Sequence, residues 1–172
     1  MKLRFLLAVS FLSLFARPLA SQTRLPPVTL PDEPVVFNTL NQPQIRVSIV
    51  TRGLSHPWGM AFLPDGSILV TERDGHLRII RDGVLDPEPI SGLPEVNVGA
   101  VNSGLMDLEL HPGHRSNRLV YFTYSKPMVD NPHPDFQGSR DAATVTLARA
   151  RFDGGDTLTQ VEDIFVADAW AQ

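Results

Sequence analysis

The sequence contains no cysteine among its 172 residues. Disulfide cross-links are therefore excluded, and the fold must be stabilised by the packing of a core. The sequence also has no run of basic residues, and its formal net charge is −4. Because binding to nucleic-acid phosphates needs clustered Lys and Arg, we predict no nucleic-acid partner.

Long hydrophobic runs are also absent, apart from one at the N-terminus. Lys2 and Arg4 precede an apolar stretch from Phe5 to Phe15, and small residues follow at Ala20-Ser21. This order predicts a signal peptide over residues 1–20, since the apolar stretch is much shorter than the about 20 residues that span a bilayer. We expect a mature chain with no membrane span that is secreted or periplasmic, and whose formal charge is −7 after the loss of three cations (−4 − 3).

Proline is concentrated between the signal peptide and the expected fold. Residues 25–43 hold five of the fifteen prolines. Because proline removes backbone donors and favours extended conformations, we predict a linker or arm over residues 21–44. Alternating apolar residues from Ile45 predict the first strand, so the folded region is expected over 45–172.

Three short apolar runs, 60–63, 68–71 and 77–80, follow in quick succession. They are separated by Asp65-Gly66 and Asp74-Gly75, a dipeptide that strongly favours a tight hairpin turn. Three strands in 25 residues form a meander, the unit of a β-propeller blade. We expect a fourth strand around Pro89–Ser91.

A second, similar unit follows about 48 residues later. Gly104–Pro112 resembles Trp58–Pro64, and further strands are predicted at 119–124, 144–152 and 164–166. The spacing fits the 40–50 residues of a propeller blade. The predicted fold is all-β, a partial six-bladed propeller with about two four-stranded antiparallel blades, although two unrelated meanders remain an alternative. The long polar segment 126–141 is either a functional loop or a surface insertion.

Residues of catalytic type give no convincing site. Ser103, Asp107 and His111 share one strand face, but Ser103 and His111 are about 26 Å apart along a strand, too far for a triad. Asp107 and Glu109 are a conceivable acid/base pair, yet the polar face of an amphipathic strand explains them better. The five histidines show no metal-ligand spacing, and His111 is expected at a structural turn.

Several motifs resemble one enzyme family in sequence and in order. They are Leu54-Ser-His-Pro-Trp-Gly-Met-Ala-Phe-Leu-Pro-Asp-Gly66, Leu69-Val-Thr-Glu-Arg73, Gly104-Leu-Met-Asp-Leu-Glu-Leu-His-Pro112 and Asn117-Arg-Leu-Val-Tyr121. Over about Ile45 to Trp170 they resemble the N-terminal part of the glucose/sorbosone dehydrogenases, the soluble PQQ-dependent aldose sugar dehydrogenases. The resemblance implies a six-bladed propeller with PQQ over its central channel and calcium between cofactor and protein. It also implies an aldose substrate and hydride transfer from the anomeric carbon to PQQ, with a histidine as base.

The resemblance assigns one site residue. The family has a substrate-lining Gln two residues before the Gly of Gly-Leu-Leu, and Asn102 stands at that position here, with an amide that is one methylene shorter. A further departure is Gly113-His114, which replaces the Asp-Phe that usually follows His-Pro.

The family's catalytic histidine, its PQQ-contacting lysine and arginines and its calcium ligands match positions beyond Gln172. We therefore assign no catalytic or metal residue, leave the cofactor-binding residues unassigned and expect neither PQQ nor calcium to bind this chain tightly. Whether the chain is itself an enzyme stays open. It is expected to be inactive alone and to self-associate through the open edges of the propeller. The alternatives are a non-catalytic secreted propeller module that binds carbohydrate or protein, and a lactonase-type hydrolase, whose metal-binding carboxylates are not identifiable here.

Overall fold

The computed structural model describes residues 29–99, 103–128 and 142–170. Residue contacts divide the chain into Met1–Pro31 and Asp32–Gln172, and the architecture below is that of the second unit. The predicted signal peptide lies outside the described residues and stays a prediction. Within the described part, no helix is long and apolar enough to cross a membrane.

The first four-stranded sheet is built by the predicted meander. It consists of β3 (Pro57–Phe62), β4 (Ile68–Glu72), β5 (His76–Arg81) and β6 (Val84–Leu85), in the order β3-β4-β5-β6 with antiparallel pairing, after a separate hairpin of β1 (Val35–Phe37) and β2 (Ile45–Val47). Both Asp-Gly turns form as predicted, with Gly66 at φ +91° and Gly75 at φ +92°. The hairpin strand β1 falls within the segment predicted as an arm.

The fourth strand of this sheet differs from the prediction. It is Val84–Leu85, and the predicted Pro89–Ser91 contributes only isolated bridges, Ile90 to Leu77 and Ser91 to Thr157. The cause is the turn Asp82-Gly83, where both residues have positive φ (+51° and +79°) and the chain folds back at once. This backbone pattern is that of a two-residue hairpin turn.

The second sheet repeats the same plan. It consists of β7 (Leu105–Leu110), β8 (Leu119–Pro127), β9 (Ala143–Arg151) and β10 (Thr159–Val166), in the order β7-β8-β9-β10 and antiparallel throughout, with the four-residue helix α1 (His114–Asn117) between β7 and β8. The prediction of two four-stranded antiparallel blades is confirmed. Each sheet is called a blade below.

The core lies between the two blades. One face of each contributes, and the most buried apolar side chains are Leu69, Leu77, Ile79, Leu105, Val120, Phe122, Tyr124, Phe152 and Leu158. Burying one such aliphatic or Phe side chain stabilises a fold by about 1.5–3 kcal/mol. This inter-blade layer therefore fixes how the strand ends of the two blades meet.

The other face of the first blade is apolar and exposed. Trp58, Met60 and Phe62 are each more than half exposed, and together with Val50 and Val70 they line a groove of 410 Å³. On β7 of the second blade Asp107 and Glu109 are both exposed, as the amphipathic pattern predicted, and Asp107 also lies against Gly59 of the first blade. The exposed side chains of β3 are therefore apolar, whereas those of β7 are acidic.

Candidate functional site

Two strand ends of neighbouring blades meet where β4 ends and β7 begins. We call this region the Gly104 end. The Leu105 amide donates to the Arg73 carbonyl at 3.3 Å, and the Arg73 Nε donates to the Ser103 carbonyl at 3.3 Å. Gly104 has φ +132°, and a Cβ there would lie 2.1 Å from the Arg73 oxygen. Only glycine allows this approach, so the backbone just after position 102 is held against the first blade.

The buried hydroxyl of Thr71, two residues before Arg73, joins the two blades. Thr71 is fully buried, and its Oγ1 accepts from the Gly59 amide at 2.9 Å and donates to the Met106 carbonyl at 2.5 Å. The β-bulge in β3 between Pro57 and Met60 provides the amide for this contact. The hydroxyl thus fixes β4 of the first blade to β7 of the second.

The buried carboxylate of Glu72 supports the neighbouring Asp74-Gly75 turn. Glu72 is 1% exposed; its Oε1 accepts from the Ser55 amide at 2.5 Å, and its Oε2 pairs with Arg78 at 3.3 Å. A buried charge needs such partners, because an unpaired one would be strongly destabilising. Glu72 was not among the residues predicted for a site. Its signal was an acid at the end of an apolar strand, directly before the Asp-Gly turn.

Glu72 also belongs to a group of possible metal ligands. His76 Nδ1 lies 3.7 Å from Glu72 and 3.3 Å from Asp74, and one ligand atom from each residue lies within 4.8 Å of the others. Arg78 already neutralises the buried carboxylate, and His76 and Asp74 are about half exposed. The group is explained as a polar cluster that supports the turn, with the Glu72–Arg78 ion pair at its centre.

The residues considered from sequence alone are not brought together. Asn102 lies outside the described residues, and its role stays a prediction. Ser103 is buried at the start of β7, whereas His111 follows the strand's other end. His111 Nδ1 accepts from the Gly113 amide at 2.9 Å and lies 2.8 Å from Asn117 Nδ2, which confirms its place in a structural turn.

Neither Asp107 nor Glu109 lies in an enclosed site. Both are exposed, and Asp107 Oδ1 contacts the next amide in its own strand. The geometry therefore favours their interpretation as the polar face of β7. The backbone in this region is held most closely at 103–105, by the hydrogen bonds to and from Arg73 and by the close approach of Gly104.

Comparison with known proteins decides the family. The family model described as Glucose / Sorbosone dehydrogenase matches residues 54–172. The chain belongs to this family. It is 45% identical over 142 residues to an uncharacterised protein of Synechocystis sp., covering 78% of this chain and 32% of that relative.

Solved structures show the same relationship. The soluble aldose sugar dehydrogenase of Escherichia coli in its apo form matches with a TM-score of 0.60 and 28% identity, over 72% of this chain and 33% of that one. The PQQ-bound form of an aldose sugar dehydrogenase from Streptomyces coelicolor shares the fold, with a TM-score of 0.55 and 21% identity over 80% of this chain and 35% of its own. The chain thus spans about a third of the length of these relatives. The two sheets are part of a β-propeller.

Proposed function

We propose that this chain forms the N-terminal blade pair of a PQQ-dependent dehydrogenase that oxidises an aldose at its anomeric carbon. The observation that carries the proposal is the family match over residues 54–172, on a chain that folds as two consecutive blades. Its structural relatives, an aldose sugar dehydrogenase and a PQQ-bound form of another, support the same substrate class and cofactor. The comparisons do not favour the alternative of a non-catalytic binding module.

The contribution of this chain to the active site is expected at the Gly104 end. Asn102 directly precedes the segment 103–105, whose backbone is held by two hydrogen bonds: the Leu105 amide donates to the Arg73 carbonyl, and the Arg73 Nε donates to the Ser103 carbonyl. A rigid backbone next to a polar side chain limits that side chain's freedom and improves its placement. We propose that the Asn102 amide binds a sugar hydroxyl.

The described residues do not fit a PQQ site by themselves. PQQ is a polyanion and needs converging cationic or amide donors, yet the two arginines near this end are engaged elsewhere. Arg73 donates to Ser103, and Arg78 donates to Glu72 and to the carbonyls of Asp86 and Pro87. We therefore derive no chemical step through PQQ from this chain, and we propose that the blade pair alone is inactive.

Export and self-association complete the proposal. The N-terminal pattern of residues 1–20 supports a secreted or periplasmic location. The apolar face of the first blade, with Trp58, Met60 and Phe62 exposed, supports self-association of the isolated chain. Replacing Met60 by Lys should shift the chain toward monomer in light scattering, whereas the exchange Val145→Lys on the second blade should do so less. A wild-type chain that is monomeric at all concentrations would contradict this part.

A chimera tests the function. Residues 54–170 of this chain would replace the matching segment of the E. coli soluble aldose sugar dehydrogenase, and PQQ-dependent dye reduction with an aldose would be measured. We expect activity. Asn102→Ala should raise the KM for the aldose, and Asn102→Gln, which keeps the amide, should change it less. Equal KM values in all three chimeras would remove Asn102 from the substrate site.

A further inference from the structure

A second cleft lies at the opposite end of β7, which we call the His114 end. Its volume is 220 Å³, and it is enclosed by the turn after β3, by α1 with the residue that follows it, and by the turn after β9. Six strand residues separate it from the Gly104 end, about 20 Å at 3.3 Å per residue. It is therefore distinct from the proposed substrate side.

One wall of the cleft is a buried histidine without partners. His114 is 4% exposed, and within the described residues neither Nδ1 nor Nε2 has a hydrogen-bond partner. A buried polar group left unpaired costs about 1–3 kcal/mol. Burial, followed by the nearby charges of Arg118 and His111, lowers the pKa of this imidazole, so the ring is neutral at pH 7 and carries one donor and one acceptor. A ligand or water in the cleft would satisfy them.

Two guanidinium groups give the cleft its charge. Arg115 and Arg118 both line it, and in the described part of the chain the side chain of neither has a hydrogen-bond or ion-pair partner. Two free arginines beside a histidine are a donor set suited to an oxyanion, since guanidinium binds carboxylate and phosphate through paired N–H groups.

The acids of the cleft are already engaged. Asp153 pairs with Arg151 at 3.2 Å, and Asp65 accepts the Ser67 amide at 2.9 Å. Arg115, Arg118 and Arg151 outnumber the two aspartates, so the region keeps a net positive charge. A metal cation would face the two free guanidinium groups, so the charge favours an anion.

We propose that the cleft at the His114 end binds a small oxyanion between Arg115 and Arg118, with the His114 ring as a further hydrogen-bond donor. The shared chemistry is that of a phosphate or carboxylate group, free or as part of a larger metabolite. The cleft is large enough for such a group together with several waters, each of about 30 Å³ in the liquid. The proposal does not depend on the proposed dehydrogenase function.

The ring nitrogens lie below the accessible surface, so contact with the anion requires a small movement of a neighbouring side chain or a bridging water. Arg115 is exposed and can provide this movement. Binding of an anion would then stabilise the protonated imidazole and raise its pKa.

The test is calorimetric titration of the full chain with sodium phosphate at pH 7, with ionic strength held constant by chloride, and a parallel titration with acetate. We expect saturable binding at one site per chain. Arg115→Gln and Arg118→Gln should each weaken it at least tenfold, whereas the charge-matched Arg46→Gln, on exposed β2, should stay within twofold. Saturable phosphate binding without acetate binding would assign the site to phosphates, and the reverse to carboxylates.

An NMR titration of the histidine rings provides the second readout. Saturation with the bound anion should raise the pKa of His114 and leave that of exposed His56 unchanged. Absence of saturable binding of either anion would overturn the proposal. It would also be overturned if Arg46→Gln weakened anion binding as much as Arg115→Gln and Arg118→Gln do. Binding that leaves the His114 pKa unchanged would overturn the role of the histidine.

Discussion

Replacing Thr71 by Val tests how the two blades are joined. Valine has nearly the same shape, so the exchange removes the hydroxyl and little else. In the structure this hydroxyl is fully buried and bridges the Gly59 amide and the Met106 carbonyl. Two groups lose their partner, each at a cost of about 1–3 kcal/mol, and both contacts are part-buried, so Thr71→Val should lower the free energy of unfolding by about 2–4 kcal/mol, in the lower part of the summed range.

The matched control is Thr71→Ser, which keeps the hydroxyl and removes one methyl group. It should cost about 1 kcal/mol, the value of one buried carbon. Both variants would be unfolded in urea at pH 7.5 and followed by circular dichroism, at two protein concentrations so that self-association is recognised. If the valine variant is no less stable than the serine variant, the bridging role of this hydroxyl is refuted.

Three further exchanges address the remaining features. Gly104→Ala should cost at least about 3 kcal/mol, because the new Cβ would overlap a backbone oxygen, whereas Gly66→Ala, at positive φ but in open space, should cost about 1–2 kcal/mol. Glu72→Gln should cost about 3 kcal/mol, because it leaves the largely buried Arg78 without its counter-charge. The wild type should lose stability at acid pH because of His114, and the His114→Phe variant should lack this loss. Burial lowers the folded-state pKa of His114, so wild-type stability is complete above the unfolded value of about 6.5 and falls as the pH drops below it.

Chemical denaturation checks the first two, and melting temperatures at pH 8 and pH 5 check the third. Equal losses at the two glycine positions would contradict the proposed close approach. For the carboxylate, the control is Asp86→Asn, whose partner Arg81 is about a third exposed and which should cost less than about 1 kcal/mol. The histidine argument fails if the phenylalanine variant loses as much stability between pH 8 and pH 5 as the wild type.

The features that could be predicted from sequence were those coded locally. The Asp65-Gly66 and Asp74-Gly75 turns placed three strands correctly, because the turn and the flanking apolar runs lie within a few residues of each other. The same dipeptide at Asp82-Gly83 returns the chain at once, so the fourth strand lies at Val84–Leu85 and not around Pro89–Ser91, where it was predicted.

The features that could not be predicted depend on distant residues. The buried Glu72 carboxylate accepts a hydrogen bond from the amide of Ser55, seventeen residues earlier. His114 is buried because the turns after β3 and β9 close over it, and its sequence neighbours are a polar turn. Such contacts join segments that are distant in sequence, and local sequence patterns do not specify them.

The central claim is tested most directly by measuring dye reduction side by side for the isolated chain and for the chimera, each with PQQ, calcium and an aldose. The account predicts no turnover by the isolated chain and PQQ-dependent turnover by the chimera. Turnover by the isolated chain, or a folded chimera that binds PQQ but does not oxidise the aldose, would contradict it.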